Sequence, residues 1–207
     1  MKVVAIQGSA SCQTMIWLRQ SYRLRAKVFH HRLGWKVTVS RDEETDIFDQ
    51  LSPDYLLVVD ARDHVVGTVR FLPTHGSTML STVFSYLLTN SPSLPAGLVE
   101  ASRFCVDTER CRNQEFINLA TRSLFAGMVD WALQRHYPQI AAVVDLRMER
   151  VLRRAGWSLA RISIPHSMGR VTGVAGYLPV SQEVLLALRP SNYVFSDRSG
   201  DTFVHDC

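Results

Sequence analysis

Two rhythms of apolar positions run along this chain. Residues 2–6 form a short apolar run that reads as a first strand. Residues 15–32 carry Leu18, Tyr22, Arg25 and Phe29 at helical spacing. The stretch 34–53 is a polar excursion with an acidic centre, long for a compact domain and therefore of functional interest. Residues 54–61 and 65–72 read as strands joined at Arg62-Asp63-His64. A short helix is expected at 79–88, a loop at 91–95, and a strand at 98–106. In that strand Glu100 and Ser102 share one parity, and Ala101 and Arg103 the other. The clearest helix spans 116–136, where Ile117, Leu124, Met128 and Trp131 form one stripe. A strand at 140–144, a basic helix at 147–155 stopped by Gly156, a strand at 159–164 and a helix at 181–188 follow. Mixed strands followed by strand–helix–strand–helix–strand predict an α/β (α+β) sandwich: a single twisted mixed sheet flanked by helices.

At 207 residues the chain suits one domain, with a core over about 1–190 and a peripheral polar tail at 191–207. No apolar run approaches 18 residues and the start is too short for a secretory signal, so a cytoplasmic protein without membrane insertion is expected. Cys12, Cys105, Cys111 and Cys207 make no C-x-x-C pair and no zinc spacing with histidine, which predicts reduced thiols and no metal. The net charge of +4 suits an acidic partner without naming one.

Candidate chemistry sits between Arg25 and Arg103. The series is Arg25, Phe29, Gly34-Trp35, Asp46, Asp49, Arg70-Phe71 and Glu100-Ala101-Ser102-Arg103-Phe104. Several of these charges interrupt apolar strand-like runs, where an unpaired charge is costly to bury. Each feature has a plainer reading by itself: a surface arginine over a core phenylalanine, a solvated acidic loop, an ion pair across a strand end. Together they read as one pocket for a small zwitterionic or cationic ligand.

In this order the residues resemble the acyl-homoserine-lactone synthases, the LuxI-type autoinducer synthases of quorum-sensing bacteria. The matching positions are Arg25, Phe29, Trp35, Asp46, Asp49, Arg70, Phe84, Glu100 and Arg103, within a resemblance spanning about 22–157. It implies a fold similar to the GCN5-related N-acetyltransferases. It also implies two substrates: S-adenosylmethionine, which is not a resident cofactor, and an acyl thioester on acyl carrier protein or coenzyme A. The methionyl amine would attack the thioester, and the carboxylate would then displace methylthioadenosine to close the lactone. An α-amino group is mostly protonated at neutral pH, so a carboxylate must take its proton. Glu100 is the expected base and Glu43 a weaker candidate, with a backbone N–H near 102–104 as oxyanion donor. Arg103, Arg70, Arg25, Asp46, Asp49, Ser102 and Phe104 would hold the ligand. Phe29 and Trp35 would close over it, and 34–53 would act as a lid. Met79, Phe84 and Val144 would line the acyl pocket, valine at 144 favouring an unsubstituted chain.

Arg147, Arg150 and Arg154 fall on one helix face, suited to docking an acidic carrier protein. No reading helix, aromatic platform or zinc module supports nucleic acid. The match Arg170-x-x-Gly173-x-Ala175 to an acetyltransferase pyrophosphate loop lies after the predicted strands and not before the long helix, which marks it as chance or structural. The rival readings are an N-acyltransferase of the same fold acting on another amine, and a non-catalytic binding module.

Overall fold

A computed structural model describes residues 1–7, 11–88, 94–111 and 117–199. Its first half holds β1 (Lys2–Gln7), α1 (Cys12–Arg25), β2 (Val39–Ser40), β3 (Glu43–Glu44), β4 (Asp54–Val59), β5 (Val65–Pro73) and α2 (Met79–Thr82). After these come β6 (Val99–Val106), α3 (Leu119–Gln134), β7 (Gln139–Asp145), α4 (Leu146–Arg154), β8 (Ala160–Arg161) and β9 (His166–Met168). The last elements are β10 (Val171–Pro179), α5 (Gln182–Leu188) and β11 (Phe195–Asp197). The main sheet is mixed, in the order β11-β1-β4-β5-β6-β7-β10-β8, with β9 on β10. A separate ribbon pairs β2 with β3.

The chain divides into two compact units, and β5, β6 and α3 each run from one into the other. The first takes the described residues of Met1–Arg70, Arg103–Gly127 and Pro190–Cys207. Here β1 pairs antiparallel with β4 along its whole length and parallel with β11 on its other side. The stretch expected as a peripheral tail thus supplies a strand. Alternation sends Val4 and Ile6 of β1, with Tyr55, Leu57 and Val59 of β4, into one cluster with Trp17, Leu18 and Leu24 of α1. Ser11 caps α1 by accepting from the Thr14 N–H, and the Thr14 hydroxyl accepts from the Ser11 N–H. The predicted single helix through residue 32 changes pitch. From Ala26 to Arg32 it is a π-helix, a form found mostly at functional sites. Cys105 is buried in this core and its thiol is pushed up to about 12 by desolvation, which keeps it inert. Cys12 is disulfide-bonded, a correction to the reduced thiols expected.

The second unit takes Phe71–Ser102 and Met128–Arg189 within the described residues. β7 pairs antiparallel with β10 from Gly173↔Asp145 to Pro179↔Gln139, and parallel with β6 at Val99↔Ile140. One face of this sheet, with Ala141 and Ala175, packs on Leu80, Leu87, Leu88 and Leu94. The predicted strand at 159–164 is only β8, while β9 and β10 were not anticipated. Gly173 lies inside the β10 ladder, where an added Cβ would fall 2.1 Å from Met168 Cε. It is a packing glycine, not part of a phosphate loop.

Candidate functional site

The site is built on the β2–β3 ribbon. Arg41 and Asp42 connect its strands with φ of +50° and +62°, the left-handed pair that a two-residue hairpin turn requires. This fixes the register Val39↔Glu44 and Ser40↔Glu43. Successive side chains then leave on opposite faces. Glu43 turns to Arg19 and Arg23 of α1, at 3.0 and 3.3 Å. Glu44 turns inward and is 0% exposed. Beyond the ribbon, Asp46 caps a 3-10 turn over Ile47–Leu51 by accepting from the Phe48 N–H at 2.9 Å. Asp49 reciprocates by accepting from the Asp46 N–H at 2.8 Å, so each acid orients the other.

These acids meet three arginines in a closed ring of alternating charge. Arg25 Nε donates to Glu44 at 2.5 Å, and its two terminal nitrogens donate to both oxygens of Asp49 at 2.8 Å. Arg70 bridges Asp49 at 2.8 Å and Asp46 at 2.5 and 3.1 Å. Arg103 bridges Asp46 at 2.8 Å and returns to Glu44 through Nε at 3.1 Å. The order is Glu44–Arg25–Asp49–Arg70–Asp46–Arg103 and back to Glu44. All six side chains belong to the first unit. Three positive charges balance three negative ones, and each is paired on two sides, the condition under which buried charge is tolerated. Burial works against the Asp49 carboxylate. The hydrogen bonds and charge of Arg25, helped by Arg70, outweigh it and hold the carboxyl well below the usual carboxylate range. Burial works against the charge of Arg25 as well, and the hydrogen bonds and charges of Asp49 and Glu44 outweigh it and raise Arg25 above its ordinary value.

Exposure is uneven around the ring. Arg25, Arg70 and Glu44 are sealed, whereas the Asp46 and Arg103 side chains keep 18% and 11% of their surface. Each arginine also lies over an aromatic ring: Arg25 over Tyr22 at 5.1 Å, Arg70 over Phe48 at 5.5 Å, and Arg103 over Phe29 at 5.6 Å. Phe29 stacks on half-buried Trp35 at 5.1 Å. Tyr55 donates to Asp49 at 2.7 Å and lies 3.3 Å from the Tyr22 hydroxyl. Arg103 has φ +55° inside β6, a conformation a non-glycine residue holds at a cost of about 1–3 kcal/mol. The simple parity expected along that strand stops at this residue.

Comparison with known proteins follows from this geometry. Residues 11–188 match the family described as autoinducer synthase. The chain belongs to the autoinducer synthase family. It is 42% identical over 196 residues to the probable acyl-homoserine-lactone synthase of Sinorhizobium fredii, covering 93% of this chain and 94% of that one. It is 39% identical to the acyl-homoserine-lactone synthase of Agrobacterium fabrum, covering 93% of each. Among solved structures, TofI in a ternary complex with an inhibitor and MTA aligns with TM-score 0.75 and 26% identity, over 91% of this chain and 96% of that chain. BjaI, a coenzyme A-dependent acyl-homoserine lactone synthase, aligns with TM-score 0.81 and 22% identity over 97% and 95%, a likeness of fold. A Lactobacillus plantarum chain assigned to the N-acetyltransferases shares the fold at TM-score 0.59 and 15% identity, over 87% and 100%. The fold class expected from the sequence is therefore met.

The other candidate residues of this autoinducer synthase have contacts of their own. Glu100 belongs to the second unit, is 1% exposed, and accepts from the Met79 and Leu80 N–H groups at 3.1 and 2.7 Å. Its carboxylate thus holds the start of α2. Ser102 and Phe104 are half-buried, and Phe104 stacks on Phe125 at 5.2 Å. Phe84 packs with Val143 against the leucine cluster. Val144, next along β7, faces the opposite side of the sheet, so Phe84 and Val144 do not share one lining. Arg147, Arg150 and Arg154 are exposed on α4, which Asp145 caps through the Met148 N–H. The polar segment expected as a lid is tied down by Asp46 and Asp49 at the ring and by Glu43 at α1. Sequence reasoning passed over Glu44, Phe48 and Tyr55.

Proposed function

We propose that the chain makes an acyl-homoserine lactone from S-adenosylmethionine and an acyl thioester. The observation that carries this reading is the Asp46–Arg103 edge, the least buried part of an otherwise sealed ring, beside the stacked pair of Phe29 and Trp35. A carboxylate there suits the ammonium of an amino acid, a guanidinium suits its carboxylate, and an aromatic face suits a sulfonium. The amine loses a proton and attacks the thioester carbonyl, so that an amide forms and the thiol leaves. The methionyl carboxylate then attacks its own γ-carbon, closing the lactone as methylthioadenosine departs. Glu100 is our choice for the group that takes the amine's proton, and a backbone N–H near 102–104 for the group that supports the oxyanion. S-adenosylmethionine is a substrate here, and neither step is a redox reaction. The acyl donor is carried by acyl carrier protein or coenzyme A, and the exposed arginines of α4 suit the acidic carrier. No helix among the described residues is long and apolar enough to cross a membrane, which is compatible with work in the cytoplasm.

The test is direct. The purified chain, given S-adenosylmethionine and a panel of acyl thioesters, should release methylthioadenosine in step with a lactone detected by mass spectrometry. An acyl amide formed without methylthioadenosine would point to an ordinary N-acyltransferase. Tight S-adenosylmethionine binding with no turnover on any donor would make the chain a binding module. Either result would end the proposal.

A further inference from the structure

Without Glu44 the ring opens into a chain, Arg25–Asp49–Arg70–Asp46–Arg103, with Arg103 at one end and held by one acid of the ring. In that chain the acid of the ring beside Arg103 is Asp46, whose Oδ2 is already shared with Arg70. Asp46 is also the acid best exposed to meet a ligand ammonium. A ligand that drew on Asp46 would therefore weaken its hold on Arg103. Glu44 answers this: it is sealed from solvent and grips Arg25 at 2.5 Å with one oxygen and Arg103 at 3.1 Å with the other. Its own position is fixed by the left-handed turn at Arg41 and Asp42, so it does not depend on the ligand. Arg103 needs such a grip because its left-handed backbone departs from the default course of a strand side chain.

We infer that Glu44 is a positioning residue of the synthase reaction, holding the Arg103 guanidinium over Phe29 while Asp46 engages the substrate. The inference rests on the S-adenosylmethionine reading given above. It predicts that Glu44 acts through Arg103 and not through general stability. The experiment is a double-mutant cycle with Glu44→Gln, Arg103→Lys and the pair together. It is read as KM for S-adenosylmethionine and kcat, from methylthioadenosine release, with melting temperatures alongside. Glu44→Gln should raise KM for S-adenosylmethionine about tenfold. Added to Arg103→Lys, it should cost no more than about twofold further in kcat/KM, because the residue it serves is already compromised. Glu44→Asp keeps the charge but shortens the reach, and is the variant to use if the glutamine form does not fold. It should show a smaller rise of KM in the same direction. Losses that multiply in the double variant would overturn the inference, as would a lowered melting temperature with unchanged KM in either Glu44 variant. A wild-type protein that releases no methylthioadenosine would instead sink the proposed function, an outcome seen before any variant is made.

Discussion

Replacing Asp49 by asparagine should destabilise this protein severely, and the structure sets the scale. The asparagine keeps the shape and loses the charge. Arg25 would lose the carboxylate that now takes both its terminal nitrogens, and Arg70 one of its two acids in the ring. The Tyr55 hydroxyl and the Asp46 N–H also donate to this one group. Removing one partner from a buried pair costs about 3–5 kcal/mol, most of it from the charge left behind. For a chain of this length each kcal/mol moves the melting temperature by about 2–4 °C, so the expected fall is about 6–20 °C. Glu149→Gln is the control. Its bond to Arg161 is as short, at 2.5 Å, but Arg161 lies in solvent, so the melting point should hardly move. Acid provides a second arm. Because the Asp49 carboxyl is depressed in the folded state, its contribution is present above the unfolded value, near 4, and fades as the pH falls through the lower folded value. Scanning calorimetry should show a constant gap between wild type and variant from about pH 5 to 8, narrowing below about pH 4. A variant melting within about 3 °C of wild type, or a gap that widens in acid, would refute the reasoning.

Three further outcomes are expected. Glu100→Gln turns an amide N–H₂ towards backbone donors at the start of α2, so it should lower stability by about 1–3 kcal/mol and abolish lactone formation. A variant folded by circular dichroism with wild-type output removes Glu100 from the chemistry. Trp35→Ala takes away one half of a partly exposed stack, so calorimetry should find S-adenosylmethionine affinity falling more than the melting temperature; unchanged affinity with a large loss of stability would make the stack structural. Reversing Arg147 and Arg150 to glutamate should raise KM for a carrier-bound donor without changing the melting temperature, since both are exposed, and added salt should mimic the effect. Equal kinetics for variant and wild type would return α4 to a plain solvated face.

What was legible in the sequence divides along physical lines. α3 was, because a long apolar run at helical spacing has few alternatives, and most of that helix is buried. Arg25, Asp46, Asp49, Arg70 and Arg103 stood out as a series of charges, several inside apolar runs, and the family resemblance then sharpened the set; they are five of the six ring members. Glu44 escaped because its direction depends on a hairpin register, and the turn that sets it, Arg41-Asp42, lacks the Asn-Gly or Asp-Gly signal such turns usually carry. β10 escaped for a similar reason. Glycines at 173 and 176 interrupt its apolar pattern, yet Gly176 is there because a Cβ would fall 2.6 Å from the Ala160 carbonyl oxygen. The π-helix from Ala26 to Arg32 has no sequence signature at all, and it holds Phe29, which lies under Arg103.

Two costs coincide at one place in the first unit. Removing six charged side chains from water is expensive, and apolar residues of similar volume would often be as stable or more so. Arg103 adds backbone strain within the same ring. A structure under selection for stability alone has no reason to keep both. A site that must present a fixed guanidinium and a fixed carboxylate to an incoming zwitterion has one: donors and acceptors set before binding need no reorganisation when charge develops. The same argument speaks against a mobile lid over 34–53. Opening that segment would part Glu44, Asp46 and Asp49 from Arg25, Arg70 and Arg103, breaking all six buried or partly buried ion pairs of the ring at once. On the reading proposed above, the ring would be a rigid floor presenting its Asp46–Arg103 edge to the ligand, with closure left to side chains such as Trp35 that carry no share of the buried charge.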